Sequence, residues 1–376
     1  MSSSYIPKAT QISLWTLAAG RCEFAGCNRL LIGDLIAGKE DGKFGFIAHI
    51  VADSENGPRG DKVRSPLLKQ DISNLMLMCP IHHKLIDVDH VDDYPEATLI
   101  AMKQEHESRI EIVTDMDADR AAHVLRFAAN IGQLESLVST KAIFAAMPPD
   151  RHPAERRTID IELNAEVRDG EPAFWAMQSE HLRRQFARKV KERVEQREIQ
   201  QLSVFALAPQ PLLIELGTLL GDIMPVSVHQ KYREPATWKW QSQQPAITFR
   251  TQDHSGAKEL PVALKLGVSA TIDDGRIFSV LGEHAAIWSI TAETPHNDIM
   301  RRQDDLSVYK RHLRGMFDRI KAHHGENALI NVFPAVPVSL AVETGRAWMP
   351  KADLPMRIFD QSREAKAFVA AITIGG

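Results

Sequence analysis

The sequence predicts an α/β protein in two parts, a small metal-organised module followed by a larger region of alternating strands and helices. Three observations carry this. Cys22-x4-Cys27 and Cys79-x2-His82 are spaced as the paired ligands of a structural metal site. From about residue 155 onward, short runs rich in β-branched residues alternate with helical stretches. The 376 residues, 44% hydrophobic and 25% charged, have an ordinary globular composition and enough length for two domains.

The metal pairs come first. A tetrahedral zinc takes four thiolate or imidazole ligands, usually as two short-range pairs on tight turns. All three cysteines of the chain fall in these pairs, so none is left for a disulfide and an intracellular setting is expected. His83 adjoins His82, and spacing alone leaves their roles interchangeable. Between the pairs lie Phe46-Ile47-Ala48-His49-Ile50-Val51, the loop Asn56-Gly57-Pro58-Arg59-Gly60-Asp61, and Ser73-Asn74-Leu75-Met76-Leu77-Met78 running into Cys79. Arg59, Lys62, Arg64 and Lys69 form a local basic cluster where a nucleic-acid backbone would pass. The net charge of −4 argues against a protein that coats DNA over a broad basic surface.

Over roughly residues 15 to 110 these features resemble the HNH nuclease family. The resemblance implies a ββα unit with a histidine ending the first strand, an asparagine ahead of the second and a histidine on the helix. The matching residues are His49, Asn74 and His83, with Cys22, Cys27, Cys79 and His82 holding a structural Zn²⁺. Phosphodiester hydrolysis needs a base for the attacking water and a cation for the charge growing on the leaving oxygen. His49 is the expected base, since an imidazole titrates near ~6.5. His83 is expected to hold Mg²⁺ or a similar divalent ion, and Asn74 to fix the loop that aims His49. Where the family often has an acidic residue before the base, this chain has Ala48, which leaves the second metal ligand open between Asp53 and Asp87.

Tyr94 to Val113 reads as a helix with Leu99, Met102, His106 and Ile110 on one face. The alanine-rich stretch Ala118 to Ala146 predicts a second helix, stopped by Pro148-Pro149-Asp150. Residues 116–154 are therefore expected to be a helical connector between a domain at 1–115 and another at 155–376. In that last domain the apolar runs Val204–Ala208, Pro225–Val228, Val262–Leu266, Ala286–Ile290 and Ala328–Phe333 predict buried, mostly parallel strands. His181–Gln201 predicts a helix with Leu182, Phe186, Val190 and Val194 inward and Arg183, Arg184, Lys189 and Lys191 as a solvated face. Pro211–Leu220, ended by Gly221, predicts another. A strand, then prolines, then a helix occurs at Ala208-Pro209-Gln210-Pro211 and again at Phe333-Pro334-Ala335-Val336-Pro337-Val338. Strand ends facing helix N-termini suit phosphate, so two such halves would make a cleft for a ligand bearing two phosphates.

Residues 155 to 376 resemble the SAVED family through Leu207-Ala208-Pro209-Gln210-Pro211-Leu212-Leu213, Leu216-Gly217, Leu220-Gly221-Asp222, Tyr232-Arg233, Trp238-Lys239-Trp240, Phe333–Pro337 and Met349–Leu354. That resemblance implies two fused, Rossmann-related CARF-like units that sense cyclic oligonucleotides in bacterial antiphage systems. An HNH module ahead of SAVED resembles a CBASS effector nuclease, which implies double-stranded DNA as substrate and a cyclic dinucleotide or trinucleotide as activator, dinucleotides being the usual ligands of this arrangement; because one HNH module cuts one strand at a time, self-association on activation is expected. Bases favour aromatic faces and phosphates favour amides or guanidinium groups, so Tyr232, Arg233, Trp238, Trp240, Pro209, Pro334, Glu293, Thr294 and His296 are the candidate ligand contacts. Core packing competes for Trp238 and Trp240, which strand alternation would place on one face. Two other readings stand beside this one: an HNH restriction endonuclease acting on modified DNA, and a nucleotide sensor whose nuclease is dead, the reading Ala48 keeps open. No apolar run approaches the ~18 residues of a membrane span and the N-terminus lacks a signal-peptide core, so the expected location is cytoplasmic.

Overall fold

A computed structural model describes residues 5–32, 44–115, 118–129, 139–163, 172–222, 224–258, 260–362 and 366–375. Its contacts divide the chain into two units, Met1–Asp117 and Ala118–Gly376.

The first unit contains helix α1 (Lys8–Leu17), strand β1 (Phe46–His49), helix α2 (Arg64–Leu68), strand β2 (Leu75–Met78) and helices α3 (Pro80–Lys84) and α4 (Glu96–Thr114). β1 and β2 pair antiparallel, from Phe46 opposite Met78 to His49 opposite Leu75. Every residue of β2 is buried, and Leu75 and Leu77 join Leu14, Ile50, Ile86 and Leu99 in the core of the unit. Pro80 opens α3 where a missing N–H leaves no bond unmade, and a π turn at Leu85–Asp89 follows. On α4, Leu99 and His106 face inward as the periodicity predicts, and Lys103 is buried beside them. Its ammonium stands 2.5 Å from Glu107, one helical turn on, and 3.8 Å from the buried Glu23, the second a contact with no signal in the helix's own periodicity.

The second unit begins with β3 (Ala121–Ala129), α5 (Thr140–Phe144), β4 (His152–Pro153), β5 (Ile159–Leu163), α6 (Pro172–Phe186) and α7 (Glu192–Glu195). It continues through β6 (Leu202–Leu207), α8 (Gln210–Leu220), β7 (Val226–Val228), β8 (Phe249–Gln252), β9 (Val262–Gly267) and α9 (Asp274–Leu281). The chain ends with β10 (Ala286–Ala292), α10 (Asp304–His324), β11 (Ile330–Ala335), α11 (Val338–Ala347), β12 (Met356–Gln361) and β13 (Phe368–Ile374). One sheet has the order β4-β3-β6-β7 with β5 also on β3, all parallel. The other runs β13-β12-β11-β9-β10-β8, parallel in its interior and antiparallel at both edges.

The stretch expected to be a helical connector is largely something else. Ala121–Ala129 forms β3, in register with β6 from His123 opposite Leu202 to Ala128 opposite Leu207. Val124, Leu125 and Phe127 are buried there. Alanine favours helix only weakly, and pairing with β5 on one side and β6 on the other overrides that preference. β3, α5 and β4 thus belong to the second unit, ahead of the expected boundary at residue 155, and residues 130–138 of the expected connector lie outside the described residues.

The two strand-to-helix repeats lead into α8 and α11, whose N-caps are Pro209 and Pro337. These helices pack on each other, and a single cluster of buried apolar side chains, including Val204, Leu212, Leu216, Val332, Val342 and Ile358, joins both sheets. Among the described residues, no helix is long and apolar enough to cross a membrane.

Candidate functional site

Cys22, Cys27, Cys79 and His82 bring one ligand atom each to within 4.8 Å of one another. His82 Nδ1 lies 3.7 Å from Cys22 Sγ and 3.3 Å from Cys79 Sγ. A tetrahedral zinc with bonds of about 2.3 Å to sulfur and about 2.0 Å to nitrogen separates its ligand atoms by roughly 3.5 Å, so these donors already stand at coordination spacing. Phe24 stacks on His82 at 4.0 Å with the rings 6° apart, which fixes the imidazole plane. Burial pushes the Cys22 thiol up to about 12. A coordinated cation is the ordinary means of ionising such a thiol, so the donor set fits zinc. Of the two adjacent histidines, His82 is the one that stands with the cysteines.

A second group gathers on the β1–β2 hairpin and the turn that follows it. His49, at the end of β1, is 6% exposed, and its Nε2 lies 3.0 Å from the Lys69 carbonyl. Because a carbonyl can only accept, Nε2 donates in this bond. Asn74 precedes β2 and is buried. Its Oδ1 accepts from Val51 N–H at 2.8 Å, and its Nδ2 donates to the Val51 carbonyl at 2.9 Å and to that of Leu68 at 3.3 Å. One carboxamide therefore pins the chain just beyond His49. His83 projects from α3, its ring stacked on Phe46 at 5.0 Å and its Nε2 3.5 Å from Asp87 Oδ2. Burial holds the His83 pKa below the ordinary imidazole range, partly opposed by the Asp87 carboxylate, while His49 adds a smaller lowering effect. Asp87, one of the two carboxylates left open by the sequence, thus faces His83. Ala48 is buried against Met76 and offers no chemistry.

The basic cluster of the intervening loop does not survive as a unit. Arg59 has its side chain largely covered, 8% exposed, and pairs with Asp87 at 2.6 Å. Arg64 forks onto Glu96. Lys62 and Lys69 remain exposed. Gly60 follows Arg59 where a Cβ would crowd the Glu55 carbonyl at 2.7 Å, and at Gly57 one would meet the Ala52 side chain at 2.5 Å.

Several expected ligand contacts are in the core of the second unit instead. Tyr232 and Trp238 are fully buried: the Tyr232 hydroxyl donates to the Arg301 carbonyl at 3.1 Å, and Trp238 packs edge-on against Phe205. Neither ring has a face to offer a base. The segment that holds Trp238 and Trp240 is irregular rather than a strand, so alternation does not govern it, and Trp240 is half-buried against the core. Pro209 is the buried N-cap of α8, whereas Pro334 lies within β11 opposite Leu266; Pro337 is the residue that enters α11. Arg233 is exposed, with its backbone N–H on Asp298 at 3.2 Å.

Glu293, Thr294 and His296 do come together with open space. They line a cavity of about 550 Å³ beyond the carboxyl end of β10, facing Glu234, Gln241 and Arg301. Arg301 holds the wall: it donates to Asp298 O at 2.7 Å, Glu234 O at 3.1 Å and Gln241 Oε1 at 3.2 Å, with its guanidinium 4.9 Å from the Tyr232 ring. The sequence reading missed His229, which is buried just beyond β7 and stacks on Phe205 at 4.1 Å. Among the described residues neither of its ring nitrogens has a hydrogen-bond partner, and burial pushes its pKa down to about 3. Its position one residue past an apolar strand was the available signal.

Residues 182–374 match the family model described as SAVED, an SMODS-associated sensor domain fused to various effectors. Among solved structures, the Acinetobacter baumannii Cap4 SAVED/CARF-domain receptor with the cyclic trinucleotide 2′3′3′-cAAA is similar at 10% identity and a TM-score of 0.44, over 74% of this chain and 55% of that one. The Moraxella osloensis Cap4 SAVED/CARF-domain receptor is similar at 6% identity and a TM-score of 0.40, over 74% of this chain and 58% of that one. The chain thus spans little more than half the length of these receptors. No curated protein matches it.

Proposed function

This chain belongs to the SAVED family of SMODS-associated sensor domains fused to various effectors, and from that premise we propose that its first unit is the effector, an HNH-type metal-dependent DNA endonuclease switched on when the sensor binds a cyclic dinucleotide. The observation that carries this reading is that His49 at the end of β1, Asn74 just ahead of β2 and His83 on the following α3, its ring stacked on Phe46 of β1, lie beside a Cys₃His set.

His49 Nδ1 is the proposed acceptor for the proton of the attacking water, held ready by the bond between its Nε2 and Lys69 O. Asn74 keeps that imidazole aimed by clamping Val51. Mg²⁺ or a similar ion, when bound, supplies positive charge to the leaving oxygen. His83 and Asp87, whose facing atoms stand 3.5 Å apart, would hold it, Asp87 taking the place that Ala48 leaves without a carboxylate. Cys22, Cys27, Cys79 and His82 would hold a Zn²⁺ whose role is structural.

On the sensor side, the cavity at Glu293, Thr294 and His296 is the proposed seat of the ligand's bases, its carboxylates suited to the N–H edges of purines. The α8 and α11 N-termini suit its phosphates. A single module cuts one strand at a time, so self-association pairing two modules on one duplex completes the proposal, in a cytoplasmic setting.

The test is cleavage of supercoiled plasmid by the purified full chain with Mg²⁺ and a panel of cyclic di-AMP, cyclic di-GMP, cyclic GMP–AMP isomers and cyclic triadenylate. Degradation that requires a cyclic dinucleotide and is lost in His49→Ala is expected. Nucleotide binding with no cleavage would instead identify a dead effector, and cleavage that depends on base modification a restriction enzyme.

A further inference from the structure

Arg59 occupies an unusual place for a residue in a basic loop. Its φ is 60°, in the left-handed region, where a non-glycine residue is strained and must be held by its surroundings. Its guanidinium is divided between two segments. Nε donates to the Ile50 carbonyl at 2.7 Å, directly after His49. Nη1 donates to the Ile86 carbonyl at 2.8 Å and Nη2 to Asp87 Oδ1 at 2.6 Å, both in the turn after His83. Nη2 also lies 3.5 Å from the His49 carbonyl. The Asp87 oxygen that Arg59 does not take is the one facing His83 Nε2.

We infer that Arg59 is a positioning residue for the proposed nuclease, not a phosphate contact. One planar fork ties the strand end carrying His49 to the turn carrying Asp87, and so sets the separation of the two imidazoles. It also commits one Asp87 oxygen, which leaves the other directed at His83. A lysine, with a single ammonium, cannot span the same three acceptors. The inference rests on the nuclease reading, but its geometry has a consequence that can be measured without cleavage: the divalent-ion affinity of the His83–Asp87 pair.

The experiment compares the full-length wild type with Arg59→Lys, which keeps the charge, and with Lys62→Gln as a control for an exposed loop cation. Zinc content and melting temperature report the fold. Mn²⁺ binding is followed by electron paramagnetic resonance, and plasmid cleavage is measured with whichever cyclic dinucleotide of the panel activates the wild type. Arg59→Lys should weaken Mn²⁺ binding by about tenfold or more, as loss of a group that orients a metal ligand does. It should lower kcat by about a hundredfold with KM for DNA unchanged, the scale of a misplacement near 1 Å. A raised KM with normal kcat, or wild-type Mn²⁺ affinity in the folded variant, would overturn the inference. If Arg59→Lys loses zinc or melts early, Arg59→Ala with added guanidinium chloride at millimolar concentration decides: restored Mn²⁺ binding supports the role and no restoration refutes it. Should the wild type bind Mn²⁺ yet never cut DNA, the nuclease reading fails while the Mn²⁺ comparison still judges Arg59.

Discussion

Gly217 of α8 and Gly345 of α11 meet backbone to backbone. A Cβ built on either would stand 2.9 Å from the other's Cα, and each would overlap a main-chain carbonyl of the facing helix, that of Val342 for Gly217 and that of Ile214 for Gly345. Helix backbones do not yield as side chains do. The contact joins the two strand-to-helix repeats, so both helix N-termini are placed by it. Gly345→Ala should destabilise the protein by at least about 1–3 kcal/mol, the range for overpacking a close-packed core, and weaken nucleotide binding with it. An unchanged urea midpoint in the variant would mean that these helices are not so closely packed in solution.

Removal of the metal ligands should act on folding. Cys79→Ser is expected to leave insoluble protein or a first unit that melts early, since structural zinc supplies on the order of 10 kcal/mol to small modules that bind it. Mass spectrometry under native conditions should find one zinc per chain in the wild type. Well-folded, metal-free protein would contradict the site.

His49→Ala and Asn74→Ala should separate chemistry from architecture. The first is expected to keep zinc, melting temperature and nucleotide binding while losing cleavage. The second leaves the Val51 N–H and carbonyl without their buried partner, at a cost of about 1–3 kcal/mol. It should therefore lose both stability and rate. Equal melting temperatures for the two variants would deny Asn74 its clamp.

His229 makes stability depend on pH in a stated direction. Its folded pKa is about 3, below the ordinary 6.5, because burial disfavours the cation. The unfolded chain takes up a proton below about 6.5 that the folded chain refuses. Stability is then fully present above that pH and declines as pH falls toward the folded value. His229→Leu should flatten the fall in melting temperature between pH 7 and 5, over and above what the other histidines contribute. A wild-type pH profile in that variant would show His229 to be solvated.

Activation should change particle mass. Sedimentation of the full chain with the activating cyclic dinucleotide is expected to show dimers or larger assemblies absent without it. Full cleavage at constant mass would place the switch within one pre-existing particle.

Much of this molecule is written locally. Cys22, Cys27, Cys79 and His82 could be paired from the sequence because knuckle spacing is a property of a few bonded neighbours. His49 could be read as ending one strand and Asn74 as preceding the next, and Val204–Ala208 or Val262–Leu266 as buried strands, because each apolar run reports its own burial. What depended on segments far apart in the chain could not be read this way. Alanine composition gave no sign that Ala121–Ala129 would be drawn between two strands. A Trp-x-Trp spacing could not tell a ligand platform from a core in which Trp238 meets Phe205. Asp87 was chosen to face His83, and Arg59 taken out of solvent, only when the loop folded back on the turn after α3. Spacing along the chain determines which residues can share a turn, whereas burial and the direction of a charged side chain are set by whatever remote surface closes over it, and that is decided only in three dimensions.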